Sequence, residues 1–193
     1  KELYPFIQAY AFIIGLAVGS FLNVIIYRLP NNKSIVKPRS KCNGCETQIS
    51  WYDNIPVLSY VLLLGKCRNC KASISVRYPL IEFICGLMTV MLLSIYGISY
   101  EFIVIVLFCY MLIAITFIDI DHFIIPNEFI IFGLIVSFFS HAFNFLPISI
   151  VQGFYGIIAC GGTLFVMGAL GTLAFKKEAL GFGDVKLGLV LGS

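Results

Sequence analysis

Long apolar runs separated by short polar intervals dominate the chain. No Lys, Arg, Asp or Glu occurs in residues 3–27, 83–100, 102–118 or 129–175. A helix needs about 20 apolar residues, within a range of about 17–25, to cross the hydrocarbon layer of a bilayer. Each of the first three runs fits one crossing. The fourth is long enough for two, and its break falls at Ser140-His141-Ala142-Phe143-Asn144-Phe145-Leu146-Pro147, where polar residues and a proline collect. A sixth run opens at Val185 and is still apolar at Ser193, which reads as a truncated helix. The pattern predicts an all-α polytopic membrane protein of about six transmembrane helices. Gly15 and Gly19, with Ala17 and Ser20 nearby, give small-residue spacing that favours close helix packing. The first run is too long for a cleaved signal peptide and has no Ala-x-Ala site after it. No internal repeat and no low-complexity segment is expected.

Composition sharpens this reading. Of 193 residues, 60% are hydrophobic and 12% charged, against about 45–50% and about 25% in soluble domains. That excludes an ordinary soluble globule and a disordered chain, and seven Cys are too sparse for a disulfide scaffold. The distribution of charge then orients the spans. Nine of the 13 Lys and Arg lie in residues 28–78, which hold only Glu46 and Asp53 as acids. Basic loops stay in the cytoplasm, so this loop is expected inside and the N-terminus outside. Parity then puts the 119–128 loop and Lys176-Lys177 inside as well. The expected organisation is a first transmembrane helix over 1–29, a cytoplasmic loop domain over 30–78 and a membrane core over 79–193.

Within the loop, Cys42-Asn43-Gly44-Cys45 is followed after 21 residues by Cys67-Arg68-Asn69-Cys70. Two such pairs read as a zinc site: each forms a tight knuckle offering two sulfurs, and two knuckles close a tetrahedron. Four protein ligands leave no open position, so the role is structural. Lys41, Lys66, Arg68 and Lys71 offset thiolate charge. Cys85, Cys109 and Cys160 stand alone in apolar runs, as small packing residues.

Acids in or beside membrane spans are functional candidates by default. Asp119 closes the third run and Asp184 opens the sixth, and parity puts both at the cytoplasmic face. Two carboxylates from different helices at one depth suit aspartic-protease chemistry, in which one takes a proton from water and the other polarises the scissile carbonyl. Asp121 points away from Asp119 on a helix, so only one of them faces Asp184. Depth favours Asp119, while spacing leaves both open. Glu82 reads as a structural residue, lining a polar cleft or pairing with Arg28. Asp184 also suits a helix N-cap, and Glu2, Glu46, Asp53, Glu101, Glu128 and Glu178 read as solvated loop or edge acids. His122 and His141 read as interfacial. A transporter or channel using paired carboxylates is the competing class, although such acids are expected near the bilayer midplane between repeats.

These residues together resemble the type IV prepilin peptidases, membrane aspartic proteases of the Gly-x-Gly-Asp type. The resemblance runs through Gly19-Ser20-Phe21-Leu22-Asn23-Val24, Arg28-Leu29-Pro30, both cysteine pairs and the Ser50–Tyr60 stretch between them. It continues through Arg77-Tyr78-Pro79-Leu80-Ile81-Glu82, Asp119 with Ile125-Pro126-Asn127, and Gly181-Phe182-Gly183-Asp184-Val185-Lys186. It implies a catalytic pair of Asp119 and Asp184, prepilin or pseudopilin substrates, and residence in the bacterial cytoplasmic membrane. It also implies cleavage of a short basic leader after a Gly at the cytoplasmic face, then methylation of the new N-terminus with S-adenosylmethionine. The cysteine loop accompanies the bifunctional members. No Gly-rich nucleotide fingerprint is present, so the S-adenosylmethionine site is unassigned, and no nucleic-acid partner is expected. Family members continue past Gly-x-Gly-Asp for further helices.

Overall fold

The computed structural model describes residues 4–177 and 180–193; Glu2 and Glu178 lie outside the described residues. Helices α1 (Tyr4–Arg28), α2 (Leu58–Leu62), α3 (Arg77–Tyr96) and α4 (Tyr100–His122) are followed by α5 (Asn127–Ala142), α6 (Ile150–Phe175) and α7 (Phe182–Gly192). A short 3₁₀ turn covers Trp51–Asn54, and among the described residues extended pairing is limited to two isolated bridges. The protein is therefore an all-helical, multi-pass membrane protein. Helices α1, α3, α4 and α6 are long and apolar enough to cross a bilayer. The other two expected spans correspond to α5, a shorter apolar helix of 16 residues, and α7, of which 11 residues are described. Pro126 sets the start of α5, and its end at Ala142 falls within the expected break of the apolar run at residues 140–147.

The chain forms two compact units, residues 1–114 and 115–193. In the first, α1 and α3 pack antiparallel: Gln8 Nε2 donates to Ser94 Oγ at 3.1 Å at one end, and Asn23 Nδ2 to the Tyr78 carbonyl at 3.1 Å at the other. Lipid tails give no hydrophobic drive for helices to associate, so close van der Waals contact and interhelical hydrogen bonds must supply it. The small-residue spacing of α1 does this. A Cβ at Gly15 would stand 2.7 Å from the Gly86 Cα, and one at Gly19 would stand 2.6 Å from the Glu82 Cα. Across the same layer, Thr89 and Tyr110 share a hydrogen bond of 2.5 Å that ties α3 to the first part of α4.

In the second unit, α6 and α7 form an antiparallel hairpin built on the same device. Gly156 lies against Gly192, and Gly161 and Gly188 receive Leu189 and Leu164. Ser149 and Gln152 form a reciprocal capping box at the start of α6, and Lys176 ends it in the left-handed conformation at φ 53°.

The glycine contacts differ in what they tolerate. Gly19→Ala places its methyl against backbone atoms of α3, which cannot move aside without separating the helices. Overpacking of this kind costs about 1–3 kcal/mol. A Cβ at Gly162 meets nothing within 4 Å, so Gly162→Ala is expected to be neutral or to gain up to about 1 kcal/mol of helix propensity. Denaturation of both variants in detergent micelles checks the pair; equal stability of the two contradicts the packing account.

Candidate functional sites

The cysteine loop folds as two copies of one knuckle. Lys41-Cys42-x-x-Cys45-x-x-x-Ile49-Ser50 and Lys66-Cys67-x-x-Cys70-x-x-x-Ile74-Ser75 carry the same residues at the same spacing. Their backbones make the same bonds. Cys42 N–H donates to the Thr47 carbonyl at 2.9 Å and Cys67 N–H to the Ala72 carbonyl at 2.8 Å. Ile49 N–H reaches the Ser40 carbonyl, and Ile74 N–H reaches the Gly65 carbonyl. Glu46 and Lys71 each turn the chain in the left-handed region, at φ 55° and 59°. The expectation of no internal repeat is therefore corrected: a short one exists, and it carries the four cysteines that could hold a metal ion.

Together the knuckles gather four sulfurs. The Sγ atoms of Cys42, Cys45, Cys67 and Cys70 all lie within 4.8 Å of one another, and Cys42 and Cys70 are 3.7 Å apart. A tetrahedral zinc site with Zn–S of about 2.3 Å has sulfurs about 3.8 Å apart. All four cysteines are free thiols. The donor set and its spacing therefore fit zinc. Gly44 is needed for closure, because a Cβ there would stand 3.0 Å from the Ala72 Cβ and 3.4 Å from the Cys70 Sγ.

The thiols are not equivalent. Hydrogen bonding from the Thr47 hydroxyl and then its N–H draws Cys45 down to about 6. N–H groups of Cys70 and Asn69 lower Cys67. The Ala72 N–H favours the Cys70 thiolate, yet the Cys45 sulfur, burial and the other two sulfurs push Cys70 up to about 11. Four sulfurs this close do not all hold negative charge unaided; a divalent cation removes that penalty.

Asp53 was expected to be a solvated loop acid and is not. It accepts two hydrogen bonds from Arg68 Nε, at 3.1 and 3.0 Å, and one from Nη2 at 2.7 Å. This fork holds the Asp53 carboxyl below the usual carboxylate range. It joins the Trp51–Asn54 turn to the second knuckle. Glu82 is also corrected in its partner. Arg28 turns instead to the carbonyls of Ser34 and Pro38. The buried Glu82 accepts the Val57 N–H at 2.7 Å and hydrogen-bonds Ser20.

The acids singled out at the membrane edge lie in the second unit. Asp119 and Asp121 are exposed in the last turn of α4, and Asp184 is exposed in the first turn of α7. Gly181, rather than Asp184, occupies the N-cap. The segments that carry these acids meet. A Cβ on Gly183 would stand 3.2 Å from the Ile125 Cβ, so the missing side chain lets α7 begin against the Ile125-Pro126-Asn127 turn. Lys186 Nζ donates to Asn127 Oδ1 at 2.8 Å and lies 4.9 Å over the Phe182 ring. Neither contact was legible from spacing, because the chain between the two motifs is long. His122 ends α4, and His141 bridges the carbonyls of Ile148 and Ser193 at 3.2 and 2.7 Å.

Comparison with known proteins matches both units. Residues 13–96 match the model of the bacterial peptidase A24 N-terminal domain, and residues 106–193 match that of the type IV leader peptidase family. The chain is 34% identical over 210 residues to a prepilin leader peptidase/N-methyltransferase of Stutzerimonas stutzeri, covering 95% of this chain and 71% of that protein. The chain belongs to the type IV leader peptidase family. Proteins of the same name from Myxococcus xanthus and Neisseria gonorrhoeae are 38% and 33% identical, over 98% and 99% of this chain. The chain spans 56% of the Myxococcus protein and 75% of the Neisseria one. No solved structure matches it.

The inequality of the thiols makes this family member's metal centre testable. Lowered to about 6, Cys45 is mostly thiolate at pH 7 and mostly protonated at pH 5, whereas Cys70 near 11 is protonated at both. After chelation, iodoacetamide at pH 7 is expected to modify Cys45 ahead of Cys70, with the Cys45 rate falling about tenfold at pH 5. Zinc is expected to protect all four. Peptide mapping by mass spectrometry reads the order, and modification unaffected by zinc contradicts the site.

Proposed function

We propose that the protein cleaves the leader from prepilins or pseudopilins with Asp119 and Asp184 as its catalytic pair. The observation that carries this reading is the junction of the two motifs: the turn following Asp119 touches the turn that carries Asp184, through Gly183 on Ile125 and Lys186 on Asn127. Membership of the leader peptidase family and the activity named for its relatives point to the same chemistry. Both acids are exposed at helix ends. This suits a bond cut at the membrane surface better than an ion path across the midplane, which a transporter requires.

In this mechanism one carboxylate removes a proton from water as the water oxygen attacks the scissile carbonyl carbon. The other, protonated, donates to the carbonyl oxygen, and the tetrahedral intermediate forms. Its collapse breaks the C–N bond, with the proton delivered to the leaving amine. The products are a leader ending in a carboxylate and a pilin with a new amino terminus. In this reading the basic 28–78 segment lies on the cytoplasmic side, as basic loops do, and α4, α5 and α6 each cross, so that both acids lie on that side as a cytoplasmic leader demands. Zinc in this account braces the knuckles and takes no part in hydrolysis.

Asp119→Asn or Asp184→Asn is expected to lower leader cleavage by at least about 10²–10⁴-fold, with membrane insertion and zinc content unchanged. Asp121→Asn is expected to cleave normally. The readout is the gel mobility of a prepilin incubated with reconstituted protein. Normal processing by Asp119→Asn or Asp184→Asn rejects the assignment.

The second half of the proposed function is methylation of the new amino terminus, supported by the name of the relatives. S-adenosylmethionine would supply the methyl group; no residue of this chain is assigned to hold it. Mass spectrometry of the mature pilin is expected to show one added methyl at the N-terminus when enzyme and cofactor are both present. An unmodified terminus after complete cleavage removes this half and leaves the peptidase half standing.

A further inference from the structure

Between the knuckles runs a segment that an aqueous loop does not explain. Leu58, Val61, Leu62 and Leu64 are 51%, 60%, 72% and 84% exposed, in and just after the single turn and a half of α2. Beside them Trp51, the chain's one tryptophan, is 73% exposed. Contiguous exposed apolar side chains mark a surface with a partner.

The depth of the segment says which partner. Val57, immediately before α2, donates its N–H to the buried Glu82. Glu82 stands five residues into α3 from Arg77, about 7.5 Å along the helix axis. Ser20, the other group on Glu82, stands eight residues before Arg28 in α1, about 12 Å along it. Arg28 and Arg77 are the cations that end the two spans and mark the polar boundary. The Val57 amide is therefore held below that boundary, at the level of the spanning helices.

The backbone is built for such a place. Irregular chain at membrane depth persists only where its polar groups are satisfied within the protein. Ile55 N–H donates to Ser59 Oγ, Ser59 N–H to the Ile55 carbonyl and Ser59 Oγ to the Tyr52 carbonyl. Val57 itself is a β-branched residue at φ 59°, a strained conformation that persists where the surroundings hold it. Beyond the apolar ridge the chain turns basic again, with Lys66 and Lys71, the charge that matches lipid phosphates.

We propose that Pro56–Leu64 is a re-entrant segment seated in the bilayer leaflet next to the zinc loop, its exposed apolar ridge covered by acyl chains. The knuckles then ride on the membrane surface rather than free in water. This inference rests on the first unit alone and is independent of the catalytic assignment.

The test uses the full chain reconstituted in phosphatidylcholine/phosphatidylglycerol vesicles. Leu62→Trp is made in a Trp51→Phe background, with Gln48→Trp in the same background as the water-exposed reference. Nitroxide at carbon 5 of the acyl chain is expected to quench the Leu62→Trp emission at least twofold more than that of Gln48→Trp. Acrylamide is expected to show the reverse order. Equal acrylamide quenching of the two without lipid quenching overturns the proposal, as does shielding from both quenchers, which means a protein cover. The unsubstituted protein gives a second reading that requires no folding of a variant: Trp51 is expected to be quenched by the acyl-chain nitroxide, and its absence counts against the proposal. Glu82→Gln keeps an acceptor for Val57 and is expected to preserve lipid quenching of Trp51, whereas Glu82→Ala is expected to lose most of it.

Discussion

The contact on which the first unit depends is the approach of α1 to α3. Without a Cβ at Gly15 and Gly19, the backbones come together closely enough for polar groups of one helix to reach the other. Ser20 can then hydrogen-bond Glu82, and Asn23 can reach the Tyr78 carbonyl. The buried acid is usable only because of that closeness: its carboxylate is satisfied by Ser20 and has an oxygen left to capture Val57. Everything that follows in the loop, from the turn into α2 to the position of the second knuckle, starts from a residue fixed on this helix pair. A bulkier residue at Gly19 would therefore act far from its own position.

A metal ion on the four sulfurs and the helix pair would divide the labour in the loop. The knuckles carry almost no core, since both are half-exposed and neither includes a regular element. Segments of this size need a cross-link to hold one conformation. Repetition makes the cross-link efficient: two copies of one ten-residue turn present sulfurs in the same way, so a single ion satisfies both. The Asp53–Arg68 fork adds the missing orientation, tying the second knuckle to the Trp51–Asn54 turn, and that turn is tied through Ser59 to the start of α2.

How much of this the sequence disclosed follows the range of the interactions. The spans were legible because hydropathy over about 20 residues is a local property, and the zinc ligands were legible because their spacing is. The repeat is equally local, five identities in ten residues, and the matching hydrogen-bond registers mark it as one element used twice. Glu82 reads from the sequence as structural, lining a polar cleft or pairing with Arg28. The structure chose a backbone amide instead, because Val57 leaves the helical range and exposes its N–H toward the acid. Asp53 reads as a solvated residue for the same reason: nothing in its neighbourhood along the chain announces Arg68. The end of α5 at Ala142, by contrast, was legible, because polar residues and a proline collect at residues 140–147.

In the second unit the same logic runs without a metal. Asp184 is exposed, so its own side chain is not what fixes it; its neighbours are. Pro126 is buried and holds a fixed φ at the entry to α5, Gly183 lets α7 begin directly on Ile125, and Lys186 reaches back to Asn127. The carboxylate is thus free to meet solvent or substrate while the backbone beneath it has little freedom. A site that must act on an incoming peptide needs this combination, since a buried acid would be inaccessible and an unsupported one would lose the orientation that makes proton transfer efficient. A side chain at 183 would press on Ile125 and so disturb the support beneath Asp184.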